Sequence, residues 1–352
     1  MCDELYAQNT FVPLFSNFKL TQKSIILIAV KTDSLTMFTG KSPAHDSVYS
    51  GLIGSIGIMQ ALSKFVNIKD SKYQIIFAFY GGESFNRIGS KHHVMFLLSN
   101  VNARYVSYLK HLHYSELRQL EMEHIHMIIE LNQISNINMK QSKMFIFSEN
   151  FQNNRFEDIL IKNIKNYFQV KKASNENQFP PSVIHSFNMV TNNISKLLLT
   201  NHDRVFLNQY YHSIFDKFSP NQYKSFALHL SKISQIFAES LIEYIEIEES
   251  KEFNQTITVD EEFMIELTEC ILSNKNCSKN LLIQDYIDDD LNDINYEAND
   301  ILSNPIALQP LFGMIVPKLL GHEVDCTEQA NSTNNVSFYF LFIFKAIINL
   351  YF

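Results

Sequence analysis

Short apolar runs rich in β-branched and aromatic residues alternate along the chain with longer segments whose apolar residues recur every three or four positions. The runs lie at 24–30, 73–80, 125–130, 143–147 and 196–200, each flanked by polar or turn-forming residues. Their length and composition predict buried strands. The longer segments, at 52–65, 155–168 and 221–246, carry the apolar stripe of amphipathic helices.

This alternation of strands and helices predicts an α/β fold, a doubly wound mixed sheet with helices on both faces. We expect this lobe to occupy residues 1–246. The segment 248–260 is charged and has no clear period, so we interpret 247–325 as a smaller helical extension of the lobe.

Residues 326–352 form an apolar tail. Its run from 338 to 352 is short for a bilayer span of about 20 residues, and Lys345 interrupts it. We interpret it as a truncated or anomalous tail, with a membrane anchor as the alternative. The first residues lack the basic start and apolar run of a secretory signal, so we expect the chain to be a fragment of a longer protein.

Composition narrows the class of protein. The chain has 352 residues, of which 46% are hydrophobic and 19% charged, as in a globular protein with a sizeable core. A net charge of -8 at pH 7 argues against a surface that follows nucleic-acid phosphates. We therefore expect no nucleic-acid partner.

Cysteines and glycan acceptors bear on the compartment. Cys270 and Cys277 are close enough for a local disulfide, and free buried thiols are the alternative. Five Asn-x-Ser/Thr triplets are candidate glycosylation sites: Asn193, Asn254, Asn276, Asn331 and Asn335. Their clustering in the later part of the chain favours a lumenal or extracellular location.

The segment from Tyr80 to Ser90 is the most informative candidate site. A predicted strand ends there in two glycines, and Glu83 follows them. Ligands bind at the carboxyl ends of strands in such sheets, and Asp33 follows the end of another predicted strand. We expect the glycine turn to expose Glu83 at this edge rather than bury it, with a surface or helix-capping glutamate as the alternative.

Several segments resemble the nicastrin family, whose members are glycosylated subunits of γ-secretase with the fold of two-zinc aminopeptidases. Residues 80–91 resemble the family's signature region. Residues 179–182, 192–195 and 208–216 resemble, in the same order, its Pro-Pro-Ser, Asn-Ile-Ser and Tyr-Tyr-x-Ser-Ile-Tyr-Asp motifs. The resemblance covers about residues 2–326, which correspond to the family's large lobe.

The chain departs from the family in the signature region. The family's Asp-Tyr-Ile-Gly-Ser reads Asn-Arg-Ile-Gly-Ser at 86–90. The change at Arg87 brings a cation close in sequence to Glu83, and we expect that it could pair with the carboxylate and weaken its hold on an incoming amine.

Measured against the two-zinc peptidase pattern, most of the metal ligands are missing. Lys31 stands at the first histidine ligand, and an ammonium repels zinc. Ser84 and Asn132 stand where the pattern has carboxylates, while Asp46 and His212 keep the residue type of a ligand. Neither metal would keep three protein ligands, so the resemblance implies no cofactor, no metal and no catalytic residue.

The resemblance therefore implies a non-catalytic subunit of a protease complex on the lumenal or extracellular side of a membrane. The implied partners are a presenilin-like catalytic subunit, the other γ-secretase subunits and type I membrane protein substrates. The implied substrate-binding residues are Glu83, Asp33, Arg87 and His212. Two alternatives stay open, a zinc-dependent aminopeptidase or carboxypeptidase with unusual ligands and a receptor-like lobe that works outside any protease complex.

Overall fold

A mixed sheet of eight strands lies at the centre of the molecule. The computed structural model describes residues 8–14, 24–35, 43–65, 68, 70–98, 121–135, 143–149, 155–173, 179–190, 193–253, 255–273, 299–300, 315–316, 319–320 and 348–351. In this part of the chain the strands are β1 (Gln8–Pro13), β2 (Ser24–Lys31), β3 (Asp33–Ser34), β4 (Tyr73–Tyr80), β5 (Ile125–Leu131), β6 (Lys143–Glu149), β7 (Gln169–Lys172), β8 (Ser195–Thr200), β9 (Asn299–Asp300) and β10 (Ile348–Tyr351).

The order of strands in the large sheet is β10-β1-β4-β2-β5-β8-β6-β7, and β3 pairs with β9 in a second small sheet. The four central strands, β4, β2, β5 and β8, are parallel. Antiparallel pairings join β1 to β4, β10 to β1 and β6 to β8. The predicted mixed sheet is therefore confirmed, and its parallel centre brings four strand ends to one edge.

Helices cover both faces of this sheet. They are α1 (Ser50–Ser63), α2 (Ile88–Leu98), α3 (Phe156–Lys165), α4 (Ile184–Asn188), α5 (Pro220–Glu249) and α6 (Glu261–Ser273). Buried residues of α1, α3, α5 and α6 form one hydrophobic core with the sheet, and those of α2 and α4 form a second core. Along β2, Ile26 and Ile28 belong to the first core, whereas Ile25 and Leu27 belong to the second. This alternation is the two-residue period of a strand buried on both faces.

The predicted strands agree with the observed ones to within two residues at either end, and the three predicted helices to within three. The sequence did not reveal β1, β7, β10 or the two-residue strands β3 and β9. β7 is short, polar and largely exposed at the end of the sheet, as is typical of an edge strand protected by lysines. Such a strand has no apolar run by which it could be recognised.

The region after α5 is described only in part. α6 packs its buried face against α1 and α5 within the predicted extension 247–325, most of which lies outside the described residues. On α6, Cys270 is buried and disulfide-bonded, which favours the disulfide alternative at this position. Of the tail 326–352, only β10 is described. No described helix is both long enough and apolar enough to cross a bilayer.

Candidate functional site

The carboxyl ends of the four parallel strands bring the candidate residues to one edge of the sheet. β2 ends in Lys31 and continues to Asp33, and β4 is followed by Glu83. Asn132 follows β5, and Asn201 follows β8. Because β4, β2, β5 and β8 are neighbours in the sheet, residues far apart in sequence meet here.

Asp33, Glu83, Ser84 and Ser90 form a hydrogen-bonded group that we call the Glu83 cluster. The Asp33 carboxylate accepts hydrogen bonds from the backbone amides of Glu83 (2.7 Å) and Ser84 (2.8 Å). The Glu83 carboxylate accepts one from the Ser90 amide (2.7 Å) and another from the Ser90 hydroxyl (2.9 Å). The two acids thereby hold together the turn between β4 and α2.

Glu83 is buried, with 8% of its surface exposed, so the expectation of an exposed glutamate is wrong. The reason is the path of the chain after the two glycines. The turn folds back until Gly89 lies directly against Gly81, and this brings the start of α2 over the carboxylate. Burial raises the pKa of Glu83 to about 7, the charge of Asp33 adds to the rise, and the hydrogen bonds from Ser90 and the charge of Lys31 oppose it.

Lys31 and His212 are in direct contact. The Lys31 ammonium nitrogen lies 3.1 Å from His212 Nε2 and 3.4 Å from the Tyr211 hydroxyl. The rings of Tyr211 and His212 stack with their centroids 4.0 Å apart. Burial and the charge of Lys31 lower the pKa of His212 to about 3, so the imidazole is neutral and its Nε2 accepts a hydrogen bond from the ammonium.

The charge of Lys31 is maintained although the side chain is buried. Burial lowers its pKa, but the interactions with Tyr211, Asp33 and Glu83 outweigh burial, and the net pKa is raised above its ordinary value. The site therefore contains a fixed positive charge at neutral pH.

Arg87 does not pair with Glu83. The oxygens of Glu83 accept from Ser90, and the buried Nε of Arg87 has no hydrogen-bond partner. Arg87 adopts a left-handed backbone conformation, with φ of 57°. Its charge acts instead on His185, whose pKa is lowered by burial and by Arg87. The expected weakening of Glu83 by this cation is therefore not supported.

A second hydrogen-bonded group, the Asp46 cluster, comprises Asp46, Ser135, Asn201 and Asp216. The Asp46 carboxylate accepts from the amide of Ser135 (3.3 Å), from its hydroxyl, and from the side-chain amide of Asn201 (3.4 Å). The Asp216 carboxylate accepts from the backbone amides of Asp46 (3.1 Å) and Ser47 (3.0 Å). Burial raises the pKa of Asp46 to about 7, and the charge of Asp216 contributes, against the hydrogen bonds from Ser135 and Asn201.

One acid of the site was missed by the sequence analysis. Glu130 lies inside β5, fully buried, and its carboxylate accepts hydrogen bonds from the Asn132 side chain (3.3 Å) and the Ile184 amide (3.4 Å). Burial and the charge of Glu83 raise its pKa to about 8. A single acid within the apolar run 125–131 is the signal that could have revealed it, because such a residue needs buried partners.

The residues of this site do not fit a two-zinc centre. The Nε2 lone pair of His212 is used by Lys31. Ser84 and Asn132 stand at the positions where a two-zinc centre would need carboxylate ligands. Here the Ser84 hydroxyl donates to the Asp33 carbonyl, and the Asn132 side-chain amide donates to the Glu130 carboxylate. Within the described residues, no three His, Cys, Asp or Glu side chains form a group that could hold a metal ion.

The segment that carries Tyr211 and His212 exposes several large apolar side chains. In the segment 203–219, between β8 and α5, four large apolar side chains are more than half exposed: Val205, Leu207, Tyr210 and Phe215. Of the predicted glycosylation sites, Asn193 is exposed just before β8. The other four, Asn254, Asn276, Asn331 and Asn335, lie outside the described residues.

Comparison with known proteins gives a consistent result. Residues 24–244 match the family model of the nicastrin large lobe. Nicastrin of Arabidopsis thaliana is 24% identical over 291 residues, which cover 78% of this chain and 40% of that protein. Nicastrin of Mus musculus is 24% identical over 202 residues, which cover 54% of this chain and 26% of that protein.

A solved structure of the same family supports the fold. The crystal structure of the gamma-secretase component nicastrin superposes with a TM-score of 0.64 and 22% identity, over 80% of this chain and 49% of that one. A zinc aminopeptidase from Bacillus subtilis gives a TM-score of 0.44 and 15% identity, over 69% of this chain and 51% of its own. The chain spans less than half the length of the nicastrins it matches.

Proposed function

Because the chain belongs to the nicastrin family, we propose that it is a non-catalytic subunit of a γ-secretase complex. In this proposal the whole protein is membrane-associated, this lobe lies on the lumenal or extracellular side of the secretory pathway, and the protein takes part in assembling the complex. It recruits type I membrane protein stubs or sterically selects among them. Its partners are a presenilin-like catalytic subunit and the other γ-secretase subunits.

The contact between Lys31 and His212 carries the non-catalytic part of the proposal. A zinc ion needs the lone pair of an imidazole nitrogen, and here that lone pair accepts a hydrogen bond from an ammonium 3.1 Å away. A fixed positive charge at this point also repels a divalent cation. A peptidase of this type needs a metal-bound water, which the present residues are not suited to hold.

We assign different roles to the predicted substrate-binding residues on the basis of their exposure. Arg87 and His212 are partly exposed, so they contact the substrate. Asp33 and Glu83 are buried and hold the turn that presents Arg87. The exposed apolar side chains of 203–219 lie next to His212 and provide the remaining contact surface.

The test uses the full-length gene product, tagged and purified from its own membranes in a mild detergent. We expect a presenilin-like polytopic protein to co-purify with it in a fixed ratio. Recovery without such a partner would contradict the assignment to the complex.

Metal analysis of the same preparation distinguishes the enzyme alternative. We expect no stoichiometric zinc and no chelator-sensitive peptidase activity in material freed of its partners. About two zinc ions per chain, removable by a chelator together with aminopeptidase or carboxypeptidase activity, would favour the zinc peptidase instead.

A further inference from the structure

Arg87 lies in a turn whose backbone is held on both sides of it. Its amide donates to the Glu83 carbonyl (3.2 Å), and its carbonyl accepts from the Lys91 amide (3.0 Å). The backbone of Asn86 and Arg87 is left-handed, with φ of 57° at each residue, a conformation that suits asparagine better than arginine. An arginine kept in a conformation that its residue type disfavours indicates a role for its side chain.

Among the residues that the structure describes, none neutralises the Arg87 guanidinium. All four carboxylate oxygens of Asp33 and Glu83 already accept hydrogen bonds from the turn that they hold. The described acids form no ion pair with Arg87, and its buried Nε meets no acceptor. The side chain is partly exposed and only Nε is buried without a partner, so the terminal nitrogens reach solvent with their donors unused.

The charge around this turn is mainly positive. Glu83 is the only acid in residues 81–98, whereas Lys91 adds a second cation one helical turn after Arg87. The segment 179–190, whose helix α4 shares a hydrophobic core with α2, contains no acid. In a chain with a net charge of -8, this is a local excess of positive charge that favours an anionic ligand.

The chemistry of the turn matches a carboxylate. A guanidinium with unused terminal donors gives a carboxylate two parallel hydrogen bonds from its planar fork. The Lys91 ammonium donates to the neutral side chain of Asn86 (2.7 Å), so its charge is not cancelled there. Phe85, two residues before Arg87, is 41% exposed and offers an apolar surface to a peptide. A free amine is a poorer match, because the oxygens needed to bind it are used within the turn.

We infer that the turn 84–91 binds a carboxylate of an acidic peptide segment, and that Arg87 determines this specificity. The identity of that peptide as a substrate rests on the proposed function. The preferred substrates are then stubs whose ectodomain end carries Asp or Glu side chains, and a free amino terminus is not the group that the turn recognises.

The test is peptide binding by the purified full-length gene product, freed of its partners and measured by fluorescence anisotropy. The probe is a short peptide with several aspartates, labelled at its carboxyl end, and it is compared with the same peptide carrying asparagines. We expect the native chain to bind the aspartate peptide about tenfold more tightly, with a difference that shrinks as salt is added. Acetylation of the amino terminus should leave this preference unchanged.

Arg87→Gln should abolish the preference, and Arg87→Lys, which keeps the charge without the fork, should retain only part of it. Arg155→Gln is the matched control. It removes an exposed arginine at the start of α3, whose core lies on the other face of the sheet from α2, and should keep the full preference. Equal binding of the two peptides to the native chain, an unchanged preference in Arg87→Gln, or loss of binding on acetylation would overturn the inference.

These outcomes are separable from those that test the proposed function. If a presenilin-like protein co-purifies with the chain but the two peptides bind equally, the assignment to the complex stands and the carboxylate site is wrong. If no such protein co-purifies but the preference depends on Arg87, the carboxylate site stands and the assignment to the complex fails.

Discussion

The Glu83 cluster and the Asp46 cluster are built on the same plan. Each has at its centre a buried carboxylate whose pKa is raised to about 7 by burial. A single serine donates both its amide and its hydroxyl to that carboxylate, Ser90 to Glu83 and Ser135 to Asp46. The serine lies seven residues after Glu83 in the first cluster and 89 residues after Asp46 in the second.

A second acid supports the first in each cluster. Asp33 accepts the amides of Glu83 and Ser84, and Asp216 accepts the amides of Asp46 and Ser47. Each central residue thus accepts through its side chain and donates through its backbone. The supporting acid in each cluster thus fixes the backbone of the residue that carries the central acid.

The clusters differ in how a third element acts on the central acid. Lys31 acts on Glu83 through its charge, whereas the neutral side-chain amide of Asn201 donates a hydrogen bond to Asp46. A cation lowers the pKa of an acid by its charge, whereas an amide acts only by its hydrogen bond. The comparison suggests that the turns need the two acids and the serine, and that the cation serves another purpose.

The largest expected effect comes from the glycines that let each cluster close. An added Cβ at Gly89 would collide with the Gly81 carbonyl oxygen, and one at Gly51 would collide with the Leu131 carbonyl oxygen at the end of β5. We expect Gly89→Ala and Gly51→Ala each to lower the free energy of unfolding by about 3 kcal/mol, because a backbone atom has to move. Urea unfolding measures both.

Gly54→Ala is the matched control on α1. Its Cβ would meet only the end of the Ile134 side chain, at 2.9 Å, which can rotate away. Alanine also favours the helix by about 1 kcal/mol over glycine, so we expect a net change below about 1 kcal/mol. If Gly89→Ala behaved like Gly54→Ala, the turn of the Glu83 cluster would not depend on this close approach.

The sequence predicted most of the fold because the central strands and the long helices have strong periodic patterns. It also placed Lys31, Asp33 and Glu83 at the correct ends of strands. It could not reveal that Lys31 contacts His212, 181 residues away, since such a contact depends on how the loop 201–219 returns to the sheet. Nor could it foresee the burial of Glu83, which follows from the path of the turn.

The loop conformations explain why the contacts of Arg87 and His212 were not predicted. Arg87 and His212 both adopt left-handed backbone angles, with φ of 57° and 58°, which nothing in their residue types indicates. The charge of Arg87 acts on His185, and the His212 ring contacts Lys31. Residue type alone therefore predicted candidate residues but neither Glu130 nor the pairings.

The second prediction is that both clusters make the stability of the chain depend on pH in the same way. Glu83 and Asp46 have ordinary pKa values of 4.5 and 3.8, and both are raised to about 7 in the folded chain. An acid whose pKa is higher in the folded chain than in the unfolded chain stabilises the fold while it is protonated. This stabilisation is fully present below the pKa of the unfolded chain and is lost as the pH rises through the pKa of the folded chain. Unfolding free energy should therefore fall between about pH 5 and pH 7, by up to about 1.4 kcal/mol per pH unit for each acid.

Glu83→Gln and Asp46→Asn should each remove the contribution of one acid to the pH dependence of the unfolding free energy. Urea unfolding over a series of pH values measures this dependence. The amide variants keep an acceptor for the serine amide and cannot ionise. A slope left unchanged by Glu83→Gln alone would show that Lys31 keeps Glu83 ionised across the range. In that case the two clusters would differ electrostatically more than their common plan suggests.

The smallest expected effect isolates the cation. At pH 8, where Glu83 is ionised, Lys31→Met and Glu83→Gln should couple by about 0.5–1 kcal/mol in a double-mutant cycle, because the first removes a charge that favours the carboxylate. Lys31→Met and Asp46→Asn should add within about 0.3–0.5 kcal/mol, since burial, Ser135, Asp216 and Asn201 set the pKa of Asp46. Equal coupling in both cycles would mean that Lys31 acts on the whole edge of the sheet and not on the Glu83 cluster.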